Sequence, residues 1–211
     1  NIHPSSITIL PNGVHTNIFQ PASHSKKTHN IFHLASAARL TEQKGVTYLF
    51  DVVKQLTEQG LPVSLSIAGT GPLRDQLEKE VRELGIEKYV TFLGFVEKES
   101  LVHLFQNADM FINTSVYEPF GLVVIESMAC GLPVISFRQG GIKEIICHTK
   151  DGLLVPPADT HAMATMIVKY LRNKKSLNRM GMLAKKTATL YDWRRIVRKL
   201  EKIYTSVAAR K

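Results

Sequence analysis

The sequence has no apolar run approaching the roughly 18 to 20 residues that a membrane-spanning helix needs. Its first residues, NIHPSSITIL, also lack the charged start and apolar middle of a secretory signal. A cytoplasmic location is the expectation. Only two cysteines occur, Cys130 and Cys147, with neither metal-ligand spacing nor a disulfide framework, which fits a reducing compartment. No G-x-x-x-x-G-K-[ST] run is present, so the phosphate loop of ATPases is excluded. There is no Asp-x-Asp pair, no internal repeat and no low-complexity tract. The eight histidines, His24, His29 and His33 among them, show no ligand spacing joined to acids or cysteines, so surface or linker roles are expected. No metal site is read.

What remains is a chain of 211 residues, 44% hydrophobic, which can bury a real core as one domain or at most two. It begins at Asn1, and its first element, SITILPNGV, reads as the end of something longer, so a fragment is expected. The net charge of +9 is uneven, because from Ala162 onward 14 Lys or Arg face only Asp192 and Glu201. Within that tail, YDWRRIVRKLEKIY sets Trp193, Ile196, Val197, Leu200, Ile203 and Tyr204 on one helical face, with basic residues around it. Docking on the parent protein is the plain reading of that face, and contact with an anionic membrane surface is the sharper one. Nucleic-acid binding is disfavoured, since no aromatic-rich basic strand or recognition helix accompanies the charge.

Short β-prone runs alternate with helical patterns along the chain: FHLASAAR, VSLSIAG, YVTFLG, DMFINTS, PVISF and GLLVPP are each followed by a helix-like stretch. That alternation predicts an α/β fold, a doubly wound parallel sheet of Rossmann-like type with extra C-terminal helices. The expected layout is a lead-in strand and linker over 1–30, an α/β core over 31–157 and helices over 158–211. Ligands in such sheets bind at the carboxyl ends of the strands. The loop AGTGPLR sits there, yet Arg74 stands where a dinucleotide fingerprint needs its third glycine, and no ribose-binding acid follows TFLG. A nicotinamide site is disfavoured. A structural turn is the default for Gly69 and Gly71, with ligand contact the alternative.

The stretch EPFGLVVIE carries two carboxylates, Glu118 and Glu126, eight positions apart. Phe120, Gly121, Leu122 and Val123 would present backbone amides at a helix N-terminus, where donors and dipole both favour a phosphate or diphosphate. Glu126 lies five residues beyond Gly121, roughly 7 to 8 Å along the helix. A carboxylate there can accept two hydroxyl hydrogen bonds, which suits a vicinal diol. Solvated or capping acids are the bland reading, but Glu126 interrupts the otherwise apolar VVIESMA, and an inward-facing Glu must be paired or bound to something polar. Cations for a diphosphate would come from LASAARLTEQKG, with Arg39 a bidentate fork and Lys44 a flexible point charge. Glu144, after the Gly pair of GGIKEII, either lines the cleft or caps a helix.

Taken in order, RLTEQKG, AGTGP, VTFLGFV, EPFGLVVIESMACGLPVI, GGIKEII and DGLLVPP resemble the C-terminal, nucleotide-sugar-binding half of the retaining GT4 family of glycosyltransferases, which have the GT-B fold. The resemblance runs from about Ile7 to Tyr204. It implies transfer of a hexosyl group from a nucleoside diphosphate sugar to an acceptor, in glycan, glycolipid or polysaccharide synthesis. Retention through an oxocarbenium-like state is implied, with no required metal and no other cofactor. By the same resemblance Arg39 and Lys44 would hold the diphosphate, and the backbone of Phe120, Gly121, Leu122 and Val123 would bind phosphates and sugar. Glu118 would lie beside the sugar as an electrostatic stabiliser rather than a nucleophile, Glu126 would take the ribose hydroxyls, and Gly94, Phe95 and Val96 would frame the base. Departures are small: Ala38 and Ser127 stand where many relatives carry glycine and alanine. GT-B enzymes have two such domains, so the N-terminal acceptor domain is expected to be absent here and the isolated chain to bind donor without turnover. A nucleotide-sugar epimerase and a non-catalytic binding module are the competing classes, and the acceptor is not readable.

Overall fold

The computed structural model describes residues 3, 7–22 and 30–209. Six apolar runs become strands: β1 Phe32–Ala37, β2 Val63–Ala68, β3 Val90–Gly94, β4 Met110–Asn113, β5 Val134–Phe137 and β6 Leu153–Val155. All neighbouring pairs are parallel, and the order across the sheet is β3-β2-β1-β4-β5-β6. The crossover helices are α1 Thr47–Glu58, α2 Arg74–Glu83, α3 Lys98–Asn107, α4 Leu122–Ala129 and the short α5 Ile142–Ile145, with α6 Thr160–Leu171, α7 Lys174–Ala188 and α8 Trp193–Ala208 after the sheet.

The strands are apolar on both faces because helices cover both. Leu34, Leu65, Met110, Ile112, Ile135 and Phe137 point to one layer, where Phe50 and Val53 of α1, Leu77 of α2 and Ile167 of α6 meet them. Ala35, Ala37, Ala68, Phe111 and Val134 point to the other, against Phe105 of α3, Ile125 and Met128 of α4 and Ala184 of α7. Each large side chain so buried contributes about 1.5 to 3 kcal/mol. The two faces are thus set by the period-2 alternation along each strand. Since β1 is flanked by β2 on one side and β4 on the other, the winding direction reverses between β1 and β4. A crevice opens at that point, at the carboxyl ends of the strands.

The last three helices each start on a side-chain cap. Asp159 accepts from the Ala162 amide at 2.8 Å, Asn173 from Ser176 at 3.0 Å and Asp192 from Arg194 at 2.8 Å. Hydrogen bonds from the Arg194 guanidinium and amide and from Thr16 hold the Asp192 carboxyl well below the usual carboxylate range.

One expectation is corrected. Residues 7–13 form no strand, and Val14 makes only an isolated bridge to Asp192, with its amide donating to Tyr191 O at 2.8 Å. The lead-in therefore pairs with the turn before α8 instead of the sheet. Residues 5 and 6, and most of the linker with His24 and His29, lie outside the described residues. On α8, Ile196 is the one buried member of the apolar face, while Trp193, Val197 and Tyr204 stay exposed. No helix among the described residues is long and apolar enough to cross a membrane.

Candidate functional site

The loops after β1, β2, β4 and β5 converge on the crevice, and glycine makes their close packing possible. Gly69, at φ 134°, lies so near the β1 loop that an added Cβ would stand 1.9 Å from Ala38 O, and one on Gly71 would stand 2.3 Å from Leu40 O. Both glycines therefore have a backbone-packing role. They also line a cavity of about 420 Å³ together with Arg39, Phe95, Val96 and Val123. The cavity is open because Ala37 and Ala68, which end β1 and β2, and Ala38 just after β1 carry side chains too small to fill it. Gly94, at φ 70°, closes β3 and its carbonyl accepts from the Gly69 amide at 2.7 Å, which fixes the neighbouring Phe95 and Val96 beside the cavity. Phe95 is 72% exposed, an apolar ring held in solvent next to a cavity.

The EPFG turn sets the start of α4. Gly121 is the N-terminal cap at φ 101° and ψ 47°, a left-handed conformation that strains any residue with a Cβ. A Cβ there would also stand 2.3 Å from Ile142 Cδ1. The amides of Phe120, Gly121, Leu122 and Val123 have no backbone acceptor among the described residues, the first bonds of the helix being those from Val124 and Ile125 to Gly121 O. They are the unsatisfied donors of a helix start, and the dipole adds to their pull on an anion. The Phe120 ring turns away and packs edge-on against Tyr191 at 6.0 Å, leaving its backbone to the crevice. The Gly pair after β5 buttresses the turn, with Gly141 donating to Glu118 O at 3.0 Å.

Glu118 is buried, and its carboxylate accepts from Lys44 Nζ at 2.6 Å. A polar chain runs inward behind it, Ser115 donating to Asn113 at 2.9 Å and Asn113 to Ser136 at 2.8 Å. Val116 donates to Gln43 O at 3.0 Å, so the β4 loop and the β1 loop are stitched together around the pair. The structure thus joins Lys44 to Glu118, a partnership the sequence reading did not contain. An ammonium has three donors, so Lys44 can hold Glu118 and still donate to a second oxygen. Arg39 is exposed and makes no ion pair among the described residues.

Glu126 is half-buried one turn beyond Val123 and on the same side of α4. Its carboxylate makes no hydrogen bond or ion pair among the described residues, which leaves it open to a polar ligand. Burial pushes its carboxyl up to about 7, and the Lys98 charge at the start of α3 only partly opposes this. Lys98 is a neighbour that no spacing rule placed. Among the described residues no group of three or more His, Cys, Asp or Glu could hold a metal ion. The cavity walls Ala37, Ala68, Thr70 and Leu101 were also unread; the available signal was alanine at strand ends, where bulkier β-formers are usual. Glu144 is exposed in α5.

A six-stranded parallel sheet with helices on both faces and a switch-point crevice defines a Rossmann-like domain. Residues 18–187 match the family model described as glycosyl transferases group 1, and the chain belongs to that family. It is 37% identical over 167 residues to the uncharacterized glycosyltransferase MJ1607 of Methanocaldococcus jannaschii, spanning 79% of this chain and 43% of that one. Its fold is similar to sucrose-phosphate synthase from Thermosynechococcus elongatus, with TM-score 0.87, 28% identity, and 96% of this chain covering 53% of that one. Anabaena HepE in complex with UDP-glucose matches with TM-score 0.82 and 25% identity over 94% of this chain and 57% of that one. The chain therefore spans about half the length of the relatives it matches.

Proposed function

We propose that this chain is the donor-binding half of a retaining, GT4-type glycosyltransferase, and that it binds a nucleoside diphosphate sugar across the carboxyl ends of β1 and β4. The carrying observation is the row of four amides at the start of α4 that have no partner among the described residues, set between the Lys44–Glu118 pair and Glu126, which is likewise unpaired among them. HepE, a relative by fold, was crystallised with UDP-glucose, which supports a donor of this class. In this reading the diphosphate sits on the amides and is neutralised by Arg39 and Lys44. The base lies in the alanine-walled cavity beside Phe95 and Val96, and the ribose hydroxyls donate to Glu126.

Fixed donors aimed at the leaving diphosphate can carry its developing charge, so the reading assigns no step to a divalent ion. As the glycosidic bond breaks, the sugar gains oxocarbenium character, and the Glu118 carboxylate provides negative charge close by. Lys44 moderates that charge and gives a spare N–H to the diphosphate. Since the chain spans about half the length of the relatives, this reading assigns acceptor binding to the half not spanned, and the chain alone binds donor without turnover. Titration calorimetry with UDP, GDP and ADP sugars, with and without magnesium, tests this. One of the three should bind without magnesium. Failure of all three, or a strict magnesium requirement, or glycosyl transfer by the chain alone, would overturn the corresponding part.

A further inference from the structure

A second cavity, of about 340 Å³, opens between the turn before β6 and helices α6 and α7. The turn provides Thr149 and Lys150, α6 provides Tyr170, and α7 provides Ser176 and Arg179. Its place is distinct from the crevice, because in a parallel sheet the turn that precedes β6 lies at the amino ends of the strands. Three observations point to an anionic occupant. No acid lines the cavity, and neither Lys150 nor Arg179 makes an ion pair among the described residues. The adjacent Asp151 is turned inward, its two oxygens taken by the Cys147 amide at 2.7 Å and the Thr187 hydroxyl at 2.6 Å. Tyr170 is only 8% exposed, yet its hydroxyl makes no hydrogen bond among the described residues and still reaches accessible surface.

The Tyr170 hydroxyl thus has a free donor at the cavity, beside two exposed cations, Lys150 and Arg179, with no acid between them. We propose that this cavity binds a phosphate monoester dianion, with Arg179 as the fork, Lys150 as the point charge, and the hydroxyls of Tyr170 and Ser176 as donors. Carboxylates are weaker candidates, since two cations and two hydroxyls offer more donors than one carboxylate fills. Such a ligand bridges the turn, α6 and α7, adding to the Thr187–Asp151 hydrogen bond between the turn and α7, and it stabilises the folded chain by mass action.

The test is titration of the 211-residue chain with inorganic phosphate at ionic strength held constant with chloride, followed by amide NMR shifts and by melting temperature. Saturable shifts in the turn at Lys150 and around Ser176 to Arg179, with a rise in melting temperature, are expected. Arg179→Ala and Lys150→Ala should each weaken binding by roughly tenfold or more, and Tyr170→Phe by less. Glycerol phosphate and phosphatidylcholine vesicles containing phosphatidic acid separate the two sources of such a group. Tighter binding of the first assigns a free ester, and of the second a lipid headgroup, each sustaining the site if Arg179→Ala abolishes it. Saturating UDP should leave the phosphate isotherm unchanged. Displacement by UDP, non-saturating shifts, or wild-type affinity in both cation variants would overturn the site. Since all three substituted side chains reach the surface, melting temperatures in chloride alone establish that the variants are folded.

Discussion

Replacing Glu126 by Gln should stabilise the free chain and weaken its grip on donor, and pH separates the two effects. Burial raises this carboxyl from an ordinary 4.5 to about 7, so the folded chain holds its proton more tightly than the unfolded chain does. The sign follows: this group's contribution to stability is complete below pH 4.5 and is lost as pH rises through about 7. At 1.36 kcal/mol per unit, the loss amounts to about 3 kcal/mol by about pH 8. Gln carries the protonated shape without the titration. E126Q should melt close to wild type near pH 4.5 and roughly 6 to 12 °C above it near pH 8, the scale for a chain of this size. Binding runs the other way. Hydroxyl hydrogen bonds to a carboxylate are worth about 1.5 to 3 kcal/mol, so E126Q should bind a nucleoside diphosphate sugar about thirtyfold more weakly near pH 8. Wild-type affinity should fall as pH drops below about 7, and that of the variant should stay flat. Thermal melts across pH and calorimetry on both proteins supply the readouts. Parallel stability curves for the two would refute the desolvation argument. Unchanged affinity would remove Glu126 from the ribose and leave the stability argument standing.

Two further predictions concern the crevice loops. Lys44→Met leaves the buried Glu118 without its partner 2.6 Å away, and should cost about 2 to 3 kcal/mol in denaturant unfolding. Adding Glu118→Gln should restore part of that loss, and simple additivity in the double variant would show that the pair is not coupled. Gly69→Ala forces a Cβ within 1.9 Å of Ala38 O at φ 134°, so the backbone must shift, at about 3 kcal/mol. Gly60→Ala, at φ 69° with nothing within 4 Å, should cost about 1 kcal/mol, and equal melting temperatures for the two would sink the packing argument.

Much of the fold was legible in order because its signals are local. VSLSIAG and DMFINTS read as strands and gave β2 and β4; RDQLEKEVRE and the EPFG turn gave α2 and the start of α4. The lead-in failed where local reading is weakest, since an apolar-polar stretch says nothing of which partner offers free backbone groups, and Val14 found Tyr191 rather than a strand. For the site, the residue types were visible and their relations were not. Glu118 was read beside the sugar and Lys44 on the diphosphate, and neither reading contained the ion pair that joins the two across 74 positions of sequence. Gly69 and Gly71 were left between turn and ligand contact, and the loops show a backbone-packing role and a cavity-lining position at once.

The sequence by itself determined the succession of strands and helices and the loop that opens α4, because side-chain period and the conformational freedom of Gly121 act over a few residues. Tertiary structure alone decided the charges. Lys44 meets Glu118 only because the β1 and β4 loops adjoin at the switch point. The packing around α4 removes water from Glu126 and pushes its carboxyl up to about 7. Desolvation and Coulomb energy depend on distance in space, which separation along the chain does not give.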